Sequence, residues 1–304
     1  MRALYSSRMT PQDANSGAGA GARLIDGKAL AAKLRRETAD RVAKLTERGR
    51  PVRLDALLAA DPDGPAAVYA ENQGAACAKL GIEYHLHRLS PTSEYRDIAG
   101  RVLLMSRDED VSAIMVHLPL PDGVDSYSVQ CLITPEKDVE GVNPANIGNI
   151  VYGRSSLAPC TALAVLAMIE STGVELQGRR CVIVGASDIV GKPIAVLLMR
   201  HEATVISCNK HTENLPALTR EADVLVAAAG VPGLITADMV KPGAVVVDVG
   251  TSRVAQPDGS RRTVGDVDFD QVRKIAGWLS PVPGGVGPMT VAMLLRNVVD
   301  AVER

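Results

Sequence analysis

Val182-Ile183-Val184-Gly185-Ala186-Ser187-Asp188-Ile189-Val190-Gly191-Lys192-Pro193 is the stretch that decides the fold. Three apolar β-formers make a short buried strand, a glycine turns the chain, and a second glycine six residues later opens a helix. Gly185 permits a tight turn with close backbone approach, and Gly191 permits close packing at the helix start. The amides exposed by such a turn suit a pyrophosphate. The G-x5-G spacing departs from the common G-x-G-x-x-G, and a turn that merely joins strand to helix is an equal reading of this stretch alone. Gly230 after the apolar run 224–229 and Gly250 after the run 245–249 add weight to the nucleotide reading. Small residues at successive strand ends line the edge of an open α/β sheet where ligands bind.

Outward from that turn the chain alternates. Downstream it reads strand 180–184, helix 190–199, strand 204–208, helix 215–221, strand 224–228 and strand 244–249, the order of a doubly wound parallel sheet. Upstream, residues 28–48 form an amphipathic helix, with Leu30, Leu34, Val42 and Leu45 at helical spacing. A strand at 54–60 runs into the turn Asp61-Pro62-Asp63-Gly64, and Pro65 starts a helix reaching residue 80. Strand 82–86, helix 94–105 and strand 113–118 follow. The alternation breaks at 134–151, a stretch heavy in Pro, Asn and Gly, before a helix at 163–171. The expected architecture is two-domain α/β. Residues 1–22 are a disordered extension, 23–154 an N-terminal α/β domain, and 155–289 a Rossmann-like doubly wound domain. A C-terminal helix within 290–304 packs back on the first domain.

Composition agrees with this reading. The 304 residues suffice for two modest domains, and 46% of them are apolar, with one Phe and one Trp. Cores must therefore be built from Val, Leu, Ile and Ala, as buried parallel strands prefer. A formal charge of −2 without a basic run argues against nucleic acid as a partner. No apolar stretch approaches the roughly 18 residues needed to span a bilayer. Five scattered cysteines with no CxxC pair give neither a disulfide framework nor a zinc site; a reducing cytoplasm and no metal are expected. Residues 1–22 lack the charged start and apolar core of a signal peptide.

The run Pro281-Val282-Pro283-Gly284-Gly285-Val286-Gly287-Pro288-Met289-Thr290 is too unusual to be generic. Together with Lys137-Asp138-Val139-Glu140-Gly141, Leu118-Pro119-Leu120-Pro121, Pro159-Cys160-Thr161, Ser187-x-x-Val190-Gly191-x-Pro193 and Gly265-Asp266-Val267, it resembles the methylenetetrahydrofolate dehydrogenase/methenyltetrahydrofolate cyclohydrolase family over residues 23–304. The resemblance implies a folate domain, a dinucleotide domain and a cleft between them. In that family a methylene bridge gives its hydride to NADP or NAD, the methenyl cation is hydrolysed to the 10-formyl compound, and members are usually homodimers. It implies substrate contacts at Tyr69, Leu118, Asp138, Glu140, Pro281, Gly284 and Gly285. Cofactor contacts are implied at Gly185, Ala186, Ser187, Ile189, Gly230, Val231, Gly250 and Thr290.

Four departures fall on the chemistry. The family's Tyr-x-x-x-Lys is Tyr69 with Gln73, on one helix face by i, i+4 spacing and expected to point into the cleft. A glutamine amide has no titratable proton near neutrality and cannot replace the acid/base lysine. Tyr69 also reads as an ordinary half-buried helix tyrosine, though the context favours a functional one. His117 stands where the family has glutamine. It titrates near neutrality and restores proton transfer, or it is a strand-end histidine that only hydrogen-bonds Gln73. Glu140 replaces the family's pterin-binding aspartate with a longer stem. Ala186 replaces an arginine able to pair a 2′-phosphate, with Lys210 a possible substitute charge. The catalytic candidates are therefore Tyr69, Gln73, His117 and Glu140. Expected first is an NAD(P)-dependent dehydrogenase with cyclohydrolase activity weakened or lost. A methylene transferase to another nucleophile and a non-catalytic folate-binding protein stand behind it.

Overall fold

A computed structural model describes residues 21–154, 157–255 and 260–304. The chain runs β1 (Arg23–Leu24), α1 (Gly27–Glu47), β2 (Arg53–Ala59), α2 (Pro65–Ala78), β3 (Glu83–Leu89), α3 (Tyr95–Arg107), β4 (Ala113–Val116), α4 (Ser126–Gln130), α5 (Pro144–Val151) and α6 (Cys160–Glu170). It continues β5 (Arg180–Val184), α7 (Gly191–Arg200), β6 (Thr204–Cys208), α8 (Leu215–Thr219), β7 (Val224–Ala227), β8 (Val245–Asp248), β9 (Ser252–Ala255), β10 (Arg261–Val264), α9 (Phe269–Val272), β11 (Trp278–Leu279) and α10 (Val286–Glu303).

Two parallel sheets organise these elements. The first has order β3-β2-β4 and the second β1-β11-β8-β7-β5-β6, while β9 and β10 pair as a separate antiparallel hairpin. In the larger sheet β5 is flanked by β6 on one side and β7 on the other, so the winding reverses between β5 and β7. Strands β5, β7 and β8 are buried almost end to end because helices cover both faces. The Val, Ile and Leu side chains sealed there each contribute about 1.5–3 kcal/mol on leaving water.

Helix α10 packs on α1 and α6. Arg41 of α1 meets Asp300 at 2.5 Å and Glu303 at 2.6 Å. Deeper in, the Asn297 amide donates to Val139 O at 2.8 Å and Ala158 O at 3.1 Å. One C-terminal side chain thus ties the loop carrying Glu140 to the start of α6.

The sequence-based boundaries need three corrections. Of the extension expected at 1–22, residues 1–20 lie outside the described residues, but Ala22 is buried and its N–H donates to Arg273 O at 2.6 Å. Arg23 and Leu24, assigned to the first domain, form the edge strand of the second sheet by pairing with β11. The stretch 134–151 contains α5, whose start carries an Asn143 cap onto Ala145 N and Pro144 in the first turn.

Candidate active site

The C-terminal ends of both sheets face one cleft of about 290 Å³. Its walls include Tyr69 from α2, His117 and Leu118 after β4, Glu140 and Val142, Cys160 and Thr161 at the start of α6, Ile189 and Val190 before α7, and Thr290 on α10. The structure therefore brings Tyr69, His117, Leu118, Glu140, Ile189 and Thr290 together.

On the wall formed by α2 and β4 the tyrosine is half exposed while the histidine is sealed, at 51% and 3%. Their rings meet edge to face, with centroids 5.8 Å apart at 83°. His117 N donates to Leu57 O at 2.9 Å, and its Nε2 lies 3.1 Å from the Tyr84 hydroxyl. Burial pushes the imidazole down to about 4, so it is uncharged at neutral pH. Glu140 accepts from Val116 N at 3.3 Å. Burial raises its carboxyl to about 7, with the Val116 N–H opposing the rise and the Asp138 charge adding to it. Burial also raises the Tyr69 phenol above its ordinary value.

Gln73 departs from expectation. It shares a helix face with Tyr69 but is 3% exposed and is not among the residues lining the cleft. Its Nε2 has no hydrogen bond of good geometry among the described residues, although the Cys77 thiol one turn on is close enough to feel the amide. Asp138 also differs: it is fully buried beneath the cleft. Its carboxylate accepts from Gly141 N at 3.1 Å, Asn143 N at 2.7 Å and Asn146 Nδ2 at 2.9 Å. That carboxylate is used up in shaping its own loop. Pro281, Gly284 and Gly285 lie outside the cleft lining as well. A Cβ at Gly27 would fall 1.9 Å from Gly285 O, so this loop packs onto the first turn of α1.

The edge of the larger sheet after β5 and β7 is a backbone construction. Gly185 has φ +119°, and a Cβ there would lie 2.0 Å from Ala228 O; one at Gly191 would lie 1.8 Å from Gly185 O. The turn after β5 is pressed against the loop after β7, at the point where the winding reverses. Ala186 and Ser187 occupy the tip, and the Ser187 hydroxyl accepts from Gly191 N at 3.4 Å. Across the crevice Gly230 and Val231 are exposed. Gly250, in contrast, is buried: a Cβ there would strike Asp266 Oδ1 at 2.2 Å. It serves packing and does not line the surface.

Two carboxylates set these loops. Asp266 Oδ2 accepts from Ala229 N at 2.6 Å and Gly230 N at 2.8 Å. Asp248 accepts from Gly250 N, Asp266 N and Val267 N at 2.9, 3.0 and 3.0 Å. Burial raises Asp248 to about 6. Neither carboxylate was assigned a role from the sequence; the available signals were an aspartate ending the buried run Val245-Val246-Val247-Asp248 and the unassigned Gly265-Asp266-Val267. Tyr84 gave no signal, since its contact with His117 spans 33 positions. No group of three His, Cys, Asp or Glu side chains able to hold a metal ion occurs among the described residues.

Comparison with known proteins decides the family. Residues 25–140 match the model of the tetrahydrofolate dehydrogenase/cyclohydrolase catalytic domain, and residues 159–304 that of the family's NAD(P)-binding domain. The chain belongs to the tetrahydrofolate dehydrogenase/cyclohydrolase family. It is similar to the bifunctional protein FolD of Cupriavidus taiwanensis, 48% identical over 93% of this chain and 98% of that protein. The bifunctional FolD methylenetetrahydrofolate dehydrogenase/cyclohydrolase of Campylobacter jejuni superposes with TM-score 0.88 at 37% identity, covering 92% and 98% of the two chains. The Trypanosoma brucei FolD, solved with NADP and an inhibitor, gives TM-score 0.86 at 36% identity over 93% and 98%. The chain is thus a dehydrogenase-like enzyme of this family, with the two-domain fold expected. No helix among its described residues is long and apolar enough to cross a membrane.

Proposed function

We propose that the chain oxidises 5,10-methylenetetrahydrofolate with a nicotinamide dinucleotide and hydrolyses the methenyl product weakly or not at all. The observation that carries this reading is Gln73, a sealed amide with no titratable proton where the family has its acid/base lysine. His117 does not make good the loss, because an imidazole pushed down to about 4 is a weak base at neutral pH. Glu140, at about 7, is the remaining group on this wall whose proton moves near neutrality. It serves as the partner of the pterin and as the source of any residual hydrolysis.

The dinucleotide edge fits its group. The turn at Gly185, packed so closely on the loop after β7 that no Cβ is admitted, the tip 186–187 and the carboxylate-held Gly230 loop offer backbone amides to a pyrophosphate. Residues Gly185, Ala186, Ser187, Gly230 and Val231 would hold the cofactor, and Ile189 and Thr290 would meet it where the crevice joins the cleft. A nicotinamide dinucleotide held there would supply the hydride acceptor for the methylene bridge. The chain's own task in that step is positioning, which needs no acid or base. Ala186 brings no cation to a 2′-phosphate, but the exposed run Asn209-Lys210-His211 after β6 carries no carboxylate to repel one, which favours NADP. The cleft proposed to take the substrate is lined by residues of one chain, and a homodimer and a cytoplasmic setting go with the family.

The methylene-transferase alternative needs His117 to deprotonate an incoming nucleophile, and its low basicity removes the support for that step. Gln73→Lys tests the proposal. Hydrolysis of supplied methenyltetrahydrofolate should rise by about 10²-fold or more, the usual size of an acid/base contribution, with dehydrogenation little changed. Hydrolysis that was already fast, or that does not respond, overturns it.

A further inference from the structure

His117 is held from behind by a residue that no motif marks. The Tyr84 phenol on β3 reaches over β2 to lie 3.1 Å from His117 Nε2. It reaches that far because α2 carries a glycine where the ring passes. A Cβ at Gly74 would lie 2.8 Å from Tyr84 Cδ1 and 3.0 Å from Cε1, closer than real Cβ atoms approach. Glycine inside a helix costs stability, so its presence beside Gln73 calls for a packing reason, and the tyrosine ring supplies one.

The proton count on this pair is constrained. Burial raises the phenol above its ordinary value, so Tyr84 keeps its hydrogen. Burial drives the imidazole the other way, so His117 carries a single N–H. If Nε2 held that hydrogen, the phenol hydrogen would be left without an acceptor among the described residues. If the phenol donates, Nε2 accepts, and the hydrogen left over is the imidazole's, on the ring edge away from Tyr84. The imidazole hydrogen then sits on Nδ1. Nδ1 has no protein partner among the described residues; although the ring as a whole is 3% exposed, this atom is not among the fully sealed unpaired ones, and the residue borders the cleft where a ligand can accept from it. The titratable groups facing the ring are Tyr84 from β3, Tyr69 from α2 and, along the same wall, Glu140; no lysine or arginine lines the cleft.

We propose that Tyr84 is a positioning residue that locks His117 as the neutral Nδ1–H tautomer, so that the cleft offers the ligand a hydrogen-bond donor where a histidine base would offer an acceptor. Gly74, Tyr84 and His117 then form one unit, and the donor selects an oxygen or unprotonated ring nitrogen of the bound molecule. That this molecule is a folate rests on the reading above; the tautomer does not.

Nitrogen NMR of the full chain labelled with 15N-histidine tests it. The chain has five histidines, and His117→Gln identifies the signal by its loss. Without any ligand, His117 should show a pyridine-like Nε2 and a pyrrole-like Nδ1 throughout pH 5–8. Tyr84→Phe should give a tautomer mixture, while the ring stays uncharged at neutral pH because its burial is unchanged. Gly74→Ala, which keeps the phenol but displaces its ring, should act in the same direction. Folate binding to Tyr84→Phe should weaken about fivefold, the size of one neutral hydrogen bond. An Nε2–H imidazole in the parent protein, or a His117 spectrum indifferent to Tyr84→Phe, overturns the proposal. A correct tautomer in a protein that binds no folate upholds it and removes the folate reading instead.

Discussion

The dinucleotide edge of the cleft is made of backbone, whereas the folate wall is made of side chains, and the chain's departures from its family bear differently on the two. At the edge, Gly185 and Gly191 fit because nothing larger fits, and buried carboxylates hold the loops by their N–H groups. Under the proposed function, an alanine at 186 in place of the family's arginine gives up one phosphate contact and leaves the shape of the turn. On the other wall the side chains of Tyr69, His117 and Glu140 line the cleft and Gln73 lies sealed behind it, so under the proposed function an exchange there changes which protons are available. A backbone-built site resists divergence in sequence; a side-chain site records it as altered chemistry.

That contrast breaks most readily at Gly185. Gly185→Val should destabilise the chain by about 3 kcal/mol through the left-handed φ and the collision with Ala228 O. Dinucleotide binding should fall below detection, while folate binding survives in whatever fraction stays folded. Calorimetric titration with each ligand, beside thermal unfolding, measures both; equal loss of folate binding would show that the two walls are not separable.

The folate wall should respond to pH. Glu140 is protonated below about 7 and ionised above it, so kcat/KM for methylenetetrahydrofolate should fall about tenfold from pH 8 to pH 6. Glu140→Gln should be slower and lack that limb. A limb near neutrality that persists in the variant assigns it elsewhere.

The smallest effect belongs to Lys210. Lys210→Ala should weaken NADP binding by less than about fivefold and leave NAD binding unchanged, as befits an exposed charge. A loss of a hundredfold would make this loop, and not the backbone crevice, the main phosphate site.

Much of the fold was legible because buried parallel strands are short apolar runs: β5 and β6 have the very limits their Val, Ile and Cys residues predict. What escaped depended on distant pairing or mixed local signals. Arg23–Leu24 is a strand only because Trp278–Leu279 lies beside it. Helix α5 hid among Pro, Asn and Gly that also read as loop, although Asn143-Pro144 is a helix start. The family motifs single out Tyr69, His117 and Glu140, which line the cleft together. Helical spacing placed Gln73 on the face of Tyr69 but could not tell that the face turns inward at residue 73. Asp138 looked like a ligand contact because a motif does not distinguish a carboxylate that meets a ligand from one that holds a loop. Tyr84 required the tertiary contact.

The most direct measurement follows both products at once. Purified chain is given methylenetetrahydrofolate with NADP, and reduced cofactor and methenyl absorbance are recorded together. The account predicts that methenyltetrahydrofolate accumulates in step with reduced cofactor and decays at its uncatalysed rate. Cofactor reduction accompanied by prompt formation of the 10-formyl product, with no methenyl build-up, would contradict it.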